Sequence, residues 1–177
     1  NPDAFHLGER VAVIGMGNSA VDVARTALRQ GARYVTMYAR SLRYTASESE
    51  IAYAKVDGAE LAFGYVPVEL TENGVLFLKR EFDEEGNVIS VSEEPVLAPA
   101  DSIIIAASQG PKNKLVSTTE GLEVSEKGLL VTNSFGETTH PGIFAAGDVV
   151  LGAKTVVEAT AYAKKVADAM DAYMQSL

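Results

Sequence analysis

Residues 11–30, VAVIGMGNSAVDVARTALRQ, constrain this chain more than any other stretch. The apolar run at 11–14 predicts a short buried strand. The turn GMGNSA follows without a gap, and an amphipathic helix then runs to a stop at Gly31. A strand, a glycine turn and a helix make up the first half of a βαβ unit that binds a nucleotide. Each turn position answers a physical need. Gly15 permits the tight exit from the strand. Gly17 has no Cβ, so a pyrophosphate can approach the backbone. Ala20 stands where a third glycine often sits and keeps helix and strand close. The free N–H groups and positive dipole end of the helix then face the phosphates. The competing reading is a glycine turn that only packs a helix on a strand.

Along the helix, Val21, Ala24 and Leu28 share the apolar face, with Asp22, Arg25 and Arg29 on the wet side. Residues 34–38, YVTMY, predict a second strand parallel to the first. Its end discriminates between cofactors. An NAD-binding unit places an acid here to accept hydrogen bonds from the ribose hydroxyls, and that acid repels a 2′-phosphate. This chain has Ala39-Arg40-Ser41-Leu42-Arg43 instead, with two guanidinium groups and no carboxylate. A guanidinium meets phosphate through a planar fork and keeps its charge. The pattern therefore points to NADP(H) rather than NAD(H). The alternative for Arg40 and Arg43 is a surface ion pair with Glu48 or Glu50.

Ser47-Glu48-Ser49-Glu50 fits a capping box opening a helix that ends near Asp57-Gly58, with Ile51, Ala54 and Val56 facing inward. Strands are expected at 61–63, 66–68, 75–78 and 88–91, divided by the turns ENG and DEEGN. One of them completes the parallel sheet and the others form an antiparallel meander. Another buried strand spans 102–107. At its end, Ser108, Gln109 and Gly110 are either contacts on the nicotinamide side or a plain loop. Short strands are expected at 122–124 and 129–131. His140 has no partner base or nucleophile in the sequence pattern. GIFAAGD, at 142–148, predicts a buried strand ending at Gly147-Asp148, where the carboxylate either accepts hydrogen bonds from sugar-like hydroxyls or caps a helix. A last helix begins near Thr155, with a stripe of Val156, Ala159, Ala163, Val166, Met170 and Tyr173 and free N–H groups at its start.

With 177 residues, 47% of them hydrophobic, the chain has enough apolar matter for one core and a smaller lobe. A net charge of −9 argues against nucleic acid or an anionic membrane as partner. No apolar run reaches the ~18–20 residues of a membrane span, so a cytoplasmic protein is expected. The absence of cysteine excludes a disulfide scaffold, a CxxC pair and an iron–sulfur cluster held by this chain.

Taken together, GMGNSAVDVAR, YARSLR and PGIFAAGDVVLGAKTVVEA resemble the flavin- and pyridine-nucleotide-dependent oxidoreductases. The similarity is greatest to the small (beta) subunit of NADPH-dependent glutamate synthase and its relatives, and it covers nearly the whole chain. It implies an α/β fold with a Rossmann-like parallel sheet and an antiparallel meander, followed by the C-terminal strand and helix of a partial FAD-binding domain. The implied NAD(P)-binding domain is residues 1–111, and the remainder of the FAD-binding domain is 112–177. By the same resemblance, Gly15, Gly17, Asn18, Ser19 and Ala20 form the pyrophosphate turn, and Arg40 and Arg43 hold the 2′-phosphate. Gln109 lies by the nicotinamide, Gly147 and Asp148 meet the ribityl and pyrophosphate region of FAD, and Thr155 and Val156 face the flavin ring. Hydride would pass from NADPH to FAD, and electrons would leave through iron–sulfur centres to a large partner subunit.

Two departures stand out. The chain has no second G-x-G-x-x-G unit for FAD and no cysteine-rich region, so an N-terminal FAD and iron–sulfur part is expected elsewhere in the same protein. The family usually has glycine where Ser108 stands. The chain alone is expected to bind NADP(H), to take up little FAD and not to turn over. The alternative class is a nucleotide-sensing module without redox chemistry, against which the Gly-Asp and TVVEA ending argues. A structural protein with packing glycines is a third class, against which the arginine pair argues.

Overall fold

Alternation along the first strand decides the architecture. Val11 and Val13 point to one side of the sheet and Ala12 and Ile14 to the other, and each side finds its own core. The computed structural model describes residues 5–107, 110–112 and 114–177. The chain divides into two compact units, Asn1–Ser108 and Gln109–Leu177.

In the first unit, β1 (Arg10–Ile14), β2 (Tyr34–Ala39), β3 (Glu60–Phe63) and β8 (Ser102–Ile105) form a parallel sheet in the order β3-β2-β1-β8. The helices α1 (Asn18–Arg29) and α2 (Glu48–Asp57) make the crossovers β1 to β2 and β2 to β3. They cover the face that carries Val11, Val13, Val35 and Met37. The buried face of α1 is built of Ala20, Val21, Ala24 and Ala27, small side chains that bring the helix close to the sheet. Leu28 packs half-buried beside them. In α2, Ile51 and Ala54 are buried as expected, whereas Val56 is 85% exposed. Val56 lies five residues after Ile51, a spacing that turns it off the helix face they share.

The connection from β3 to β8 is an antiparallel meander of β4 (Tyr65–Thr71), β5 (Gly74–Phe82), β6 (Val88–Val91) and β7 (Val96–Pro99). Here β5 pairs with all three of the others. The β7 strand was not expected from the sequence, because a proline ends it and its residues are mostly exposed. The meander covers the other sheet face. Phe77 stacks on Tyr38 with ring centroids 4.5 Å apart, and Tyr65 meets both rings edge-on at 5.3 and 5.5 Å. Burial pushes the Tyr38 hydroxyl up from its ordinary pKa. Burying Phe77 and Met37 completely contributes roughly 1.5–3 kcal/mol each.

The strand at 102–105 is less buried than its isoleucines suggest. It is an edge strand, and Ile105 is 65% exposed. Asp101 fixes where β1 and β8 start. Its carboxylate accepts the backbone N–H groups of Glu9 and Arg10 at 2.9 and 2.7 Å. Leu7 packs half-buried against the helix-side core, and Phe5 stays exposed.

The second unit holds α3 (Lys114–Thr118), the single turn α4 (Asp148–Leu151) and the long helix α5 (Val156–Gln175). The strands expected at 122–124 and 129–131 appear only as the isolated bridge Val124↔Leu130. The run at 143–146 makes one antiparallel bridge, Glu137↔Phe144. A strand is defined by its partner, and the described residues of this unit offer that run no longer ladder. The inward stripe of α5 is Ala159, Tyr162, Val166, Ala169 and Tyr173. Val156, Ala163 and Met170 are exposed, so the expected stripe was drawn partly off the buried face. Tyr173 packs edge-on against Phe144 at 5.6 Å.

Candidate nucleotide-binding site

The carboxyl ends of β1 and β8 lie side by side, and the chain leaves β1 for α1 on one side while β8 flanks it on the other. Such a reversal opens a crevice at the strand ends where open α/β sheets take ligands. Gly15 turns the chain there with φ +136°, and an added Cβ would collide with the Ala106 carbonyl. Its N–H donates to the Tyr38 carbonyl at 3.0 Å, which ties the turn to the end of β2.

Gly17 is the residue that caps α1, and no side chain caps the helix. The first turn of α1 carries no acidic residue. Its N–H groups and dipole are therefore left for an external anion. Asn18 and Ser19 are exposed at this end, and Ala20 is fully buried against the sheet. A Cβ on Gly17 would approach Thr45 Oγ1 to 3.2 Å, so glycine keeps a surface over the turn open.

The loop bearing Arg40 and Arg43 is stitched to this turn. Thr45 and Ala46 donate their N–H groups to the Met16 carbonyl at 3.0 and 3.2 Å. The Ser47 N–H donates to Asn18 Oδ1 at 3.0 Å. Both arginines are exposed, and among the described residues neither forms an ion pair. Glu50 is engaged instead by Arg25, which reaches Glu50 at 3.4 Å and Asp57 at 2.7 Å. That guanidinium holds the Asp57 carboxyl below the usual carboxylate range. The capping box expected at residue 47 is accordingly half formed. Ser47 Oγ accepts the Glu50 N–H, while Asn18 takes the reciprocal role on the Ser47 N–H. The set comprises a close-approach turn, an uncapped helix start, a strand end without a carboxylate and two cations that form no ion pair among the described residues. Gln109, like Ser108, lies outside the described residues.

In the second unit, Gly147 adopts φ 76°, ψ −149°, a conformation confined to glycine. Asp148 opens α4, and its carboxylate accepts the Lys154 N–H at 3.3 Å. The start of α5 differs from expectation. Thr155 and Glu158 form a complete capping box, signalled by the TVVE string but not anticipated. The two hydrogen bonds from Thr155 hold the Glu158 carboxyl below its ordinary pKa. An acid already sits on this helix end, which argues against a second phosphate cradle there. What it presents outward is apolar: Val156 and Val157 are 82% and 77% exposed. His140 Nδ1 lies 3.0 Å from the Pro141 carbonyl. Among the described residues no group of three potential metal ligands occurs, and no helix is long and apolar enough to cross a membrane.

The parallel sheet, its glycine turn and the meander define a dinucleotide-binding class of protein. The chain belongs to the pyridine nucleotide-disulphide oxidoreductase family, which it matches over residues 2–167. It is 32% identical to the glutamate synthase [NADPH] small chain of Escherichia coli K12 over 181 aligned residues, covering 91% of this chain and 38% of that one. It is 33% identical to the NAD-dependent dihydropyrimidine dehydrogenase subunit PreT of the same organism, over 96% of this chain and 38% of PreT. The chain thus spans well under half the length of these relatives. In fold it is similar to thioredoxin reductase from T. acidophilum, with a TM-score of 0.78 and 23% identity, covering 98% of this chain and 55% of that one.

Proposed function

We propose that residues 1–111 are the NADP(H)-binding domain of a flavin-dependent oxidoreductase and that residues 112–177 are the C-terminal remainder of its FAD-binding domain. The observation that carries this reading is the loop of Arg40 and Arg43, hydrogen-bonded beside an uncapped glycine turn with no carboxylate at the end of β2. Relatives named for NADPH and for NAD both match this chain, so the choice of nucleotide rests on those residues.

In this reading Gly15, Gly17, Asn18 and Ser19 hold the pyrophosphate while buried Ala20 keeps the turn against the sheet, and Arg40 and Arg43 take the 2′-phosphate by charge-assisted hydrogen bonds. Gly147 and Asp148 contribute to the FAD ribityl region, and Thr155 with Val156 offers a mostly apolar edge to the flavin ring. Bound together, the two cofactors would supply the redox chemistry, hydride transfer from reduced nicotinamide to oxidised flavin. The protein orients them. In this reading the remainder of the FAD site and iron–sulfur centres lie elsewhere in the parent protein, and a large electron-accepting subunit completes the assembly; relatives named as a small chain and as a subunit support a partner of that kind.

The test is anaerobic mixing of the FAD-loaded parent protein with NADPH or NADH. NADPH is expected to bleach the flavin absorbance at lower concentration than NADH. Nucleotide binding without any bleaching would favour a sensing module instead, and bleaching at equal concentrations would overturn the assignment to NADP(H).

A further inference from the structure

Arg80 belongs to β5, in the meander, yet its side chain reaches the parallel sheet. Its Nη1 donates to the Arg40 carbonyl at 3.4 Å. The backbone closes a circuit around this contact. Ala39, the last residue of β2, is in register with Phe63 at the end of β3. Gly64 follows, and its carbonyl accepts the Arg80 N–H at 2.7 Å. The Arg80 side chain then returns to Arg40, the residue after Ala39. The guanidinium is thus held from behind by its own backbone and lands on the first residue of the loop between β2 and α2.

Two further observations show that this placement is costly to keep. The Arg80 Nε is buried and has no hydrogen-bond partner among the described residues. A buried donor without an acceptor destabilises a fold. Among the described residues no carboxylate pairs with Arg80, Arg40 or Arg43, so a third positive charge, from β5, sits against the same loop without a counter-ion. Cations gathered without acids suit an anion that arrives from outside.

We infer that Arg80 is a positioning residue for the 2′-phosphate arm of the nucleotide site: it fixes the Arg40 backbone and adds positive charge behind it, and so sets the preference for a phosphorylated ribose. This rests on the NADP(H) reading above. A residue that served only to join the sheets would affect NADPH and NADH alike, whereas Arg80 acts where the two nucleotides differ.

Calorimetric titration of the full chain and of Arg80→Gln and Arg80→Lys with NADPH and NADH tests it, with adenosine 2′,5′-bisphosphate and AMP as smaller probes. Arg80→Gln is expected to lose about fivefold in affinity for NADPH and for the bisphosphate, the scale of one lost hydrogen bond, with NADH and AMP unchanged. Arg80→Lys, which still carries a charged donor, recovers most of that loss. Equal losses for both nucleotides, or an unchanged ratio between them, would overturn the inference. An unsubstituted chain that binds NADPH and NADH equally would overturn the NADP(H) reading itself, and this inference with it.

Discussion

Asn18 and Ser47 are joined by a single hydrogen bond: the Asn18 Oδ1, at the start of α1, accepts the Ser47 N–H, ahead of α2, at 3.0 Å. Residues 29 positions apart in sequence therefore close the loop that carries Arg40 and Arg43 against the glycine turn. Asn18→Ala removes that closure and leaves the Ser47 N–H to water. The expected result is a loss of about 1 kcal/mol in NADPH binding, near fivefold, with a smaller loss for AMP, which lacks the phosphate held by the loop. Calorimetry on the two ligands measures it, and equal losses would show that Asn18 does not act through the arginine loop.

Gly15 and Gly17 separate folding from binding. With φ +136° and the Ala106 carbonyl in the way, Gly15→Ala is expected to destabilise the chain by about 2 kcal/mol or more, read as a shift in the urea midpoint. Gly17 has an ordinary φ of −97° and only the Thr45 hydroxyl nearby. Gly17→Ala should keep the urea midpoint close to the parent value and weaken NADPH by about tenfold, or about 1.4 kcal/mol. A Gly17→Ala chain that binds normally would show that no phosphate approaches this turn.

Much of this arrangement is legible in the sequence, and what ties the arginine loop in place is not. The strand–turn–helix unit, the second strand and the missing acid depend on neighbours within a few residues, so periodicity and turn chemistry reveal them. The contacts that tie the arginine loop in place, Asn18 to Ser47 and Arg80 to Arg40, cross 29 and 40 positions and leave no local pattern. The run at 143–146 reads as a strand by composition, but pairing decides, and it forms one bridge. In α5, Val156 reads as part of the buried stripe, yet it occupies the first helical position, before the stripe begins at Ala159. The TVVE capping box at the same helix end is a local pattern, three residues long in its spacing, that the sequence does display.

The Arg25–Asp57 pair gives the first unit an acid-sensitive clamp between α1 and α2. The Arg25 hydrogen bond lowers the Asp57 pKa in the folded chain. A depressed folded-state pKa stabilises above the unfolded value, about pH 4. That contribution is lost as pH falls below it. Asp57→Asn should therefore destabilise the chain near neutrality and flatten the fall in thermal midpoint on acidification below about pH 4. An acid limb of unchanged steepness would contradict the assignment.

The capping box of Thr155 and Glu158 predicts a local effect. Thr155→Ala removes the acceptor for the Glu158 N–H, bonded at 3.2 Å, and should cost about 1 kcal/mol. Hydrogen exchange should accelerate in the first turn of α5 and stay unchanged in α1. Acceleration spread over both helices would mean that the cap supports far more than its own helix.

The central claim is that Arg40 and Arg43 recognise a 2′-phosphate. Calorimetric titration of the parent chain and the Arg40→Ala/Arg43→Ala double variant with NADPH and NADH tests it most directly. The parent should bind NADPH more tightly. The double variant should lose about thirtyfold for NADPH, from roughly 2 kcal/mol of charge-assisted hydrogen bonding, with NADH unchanged. Equal affinities in the parent, or an undiminished preference in the double variant, would contradict it.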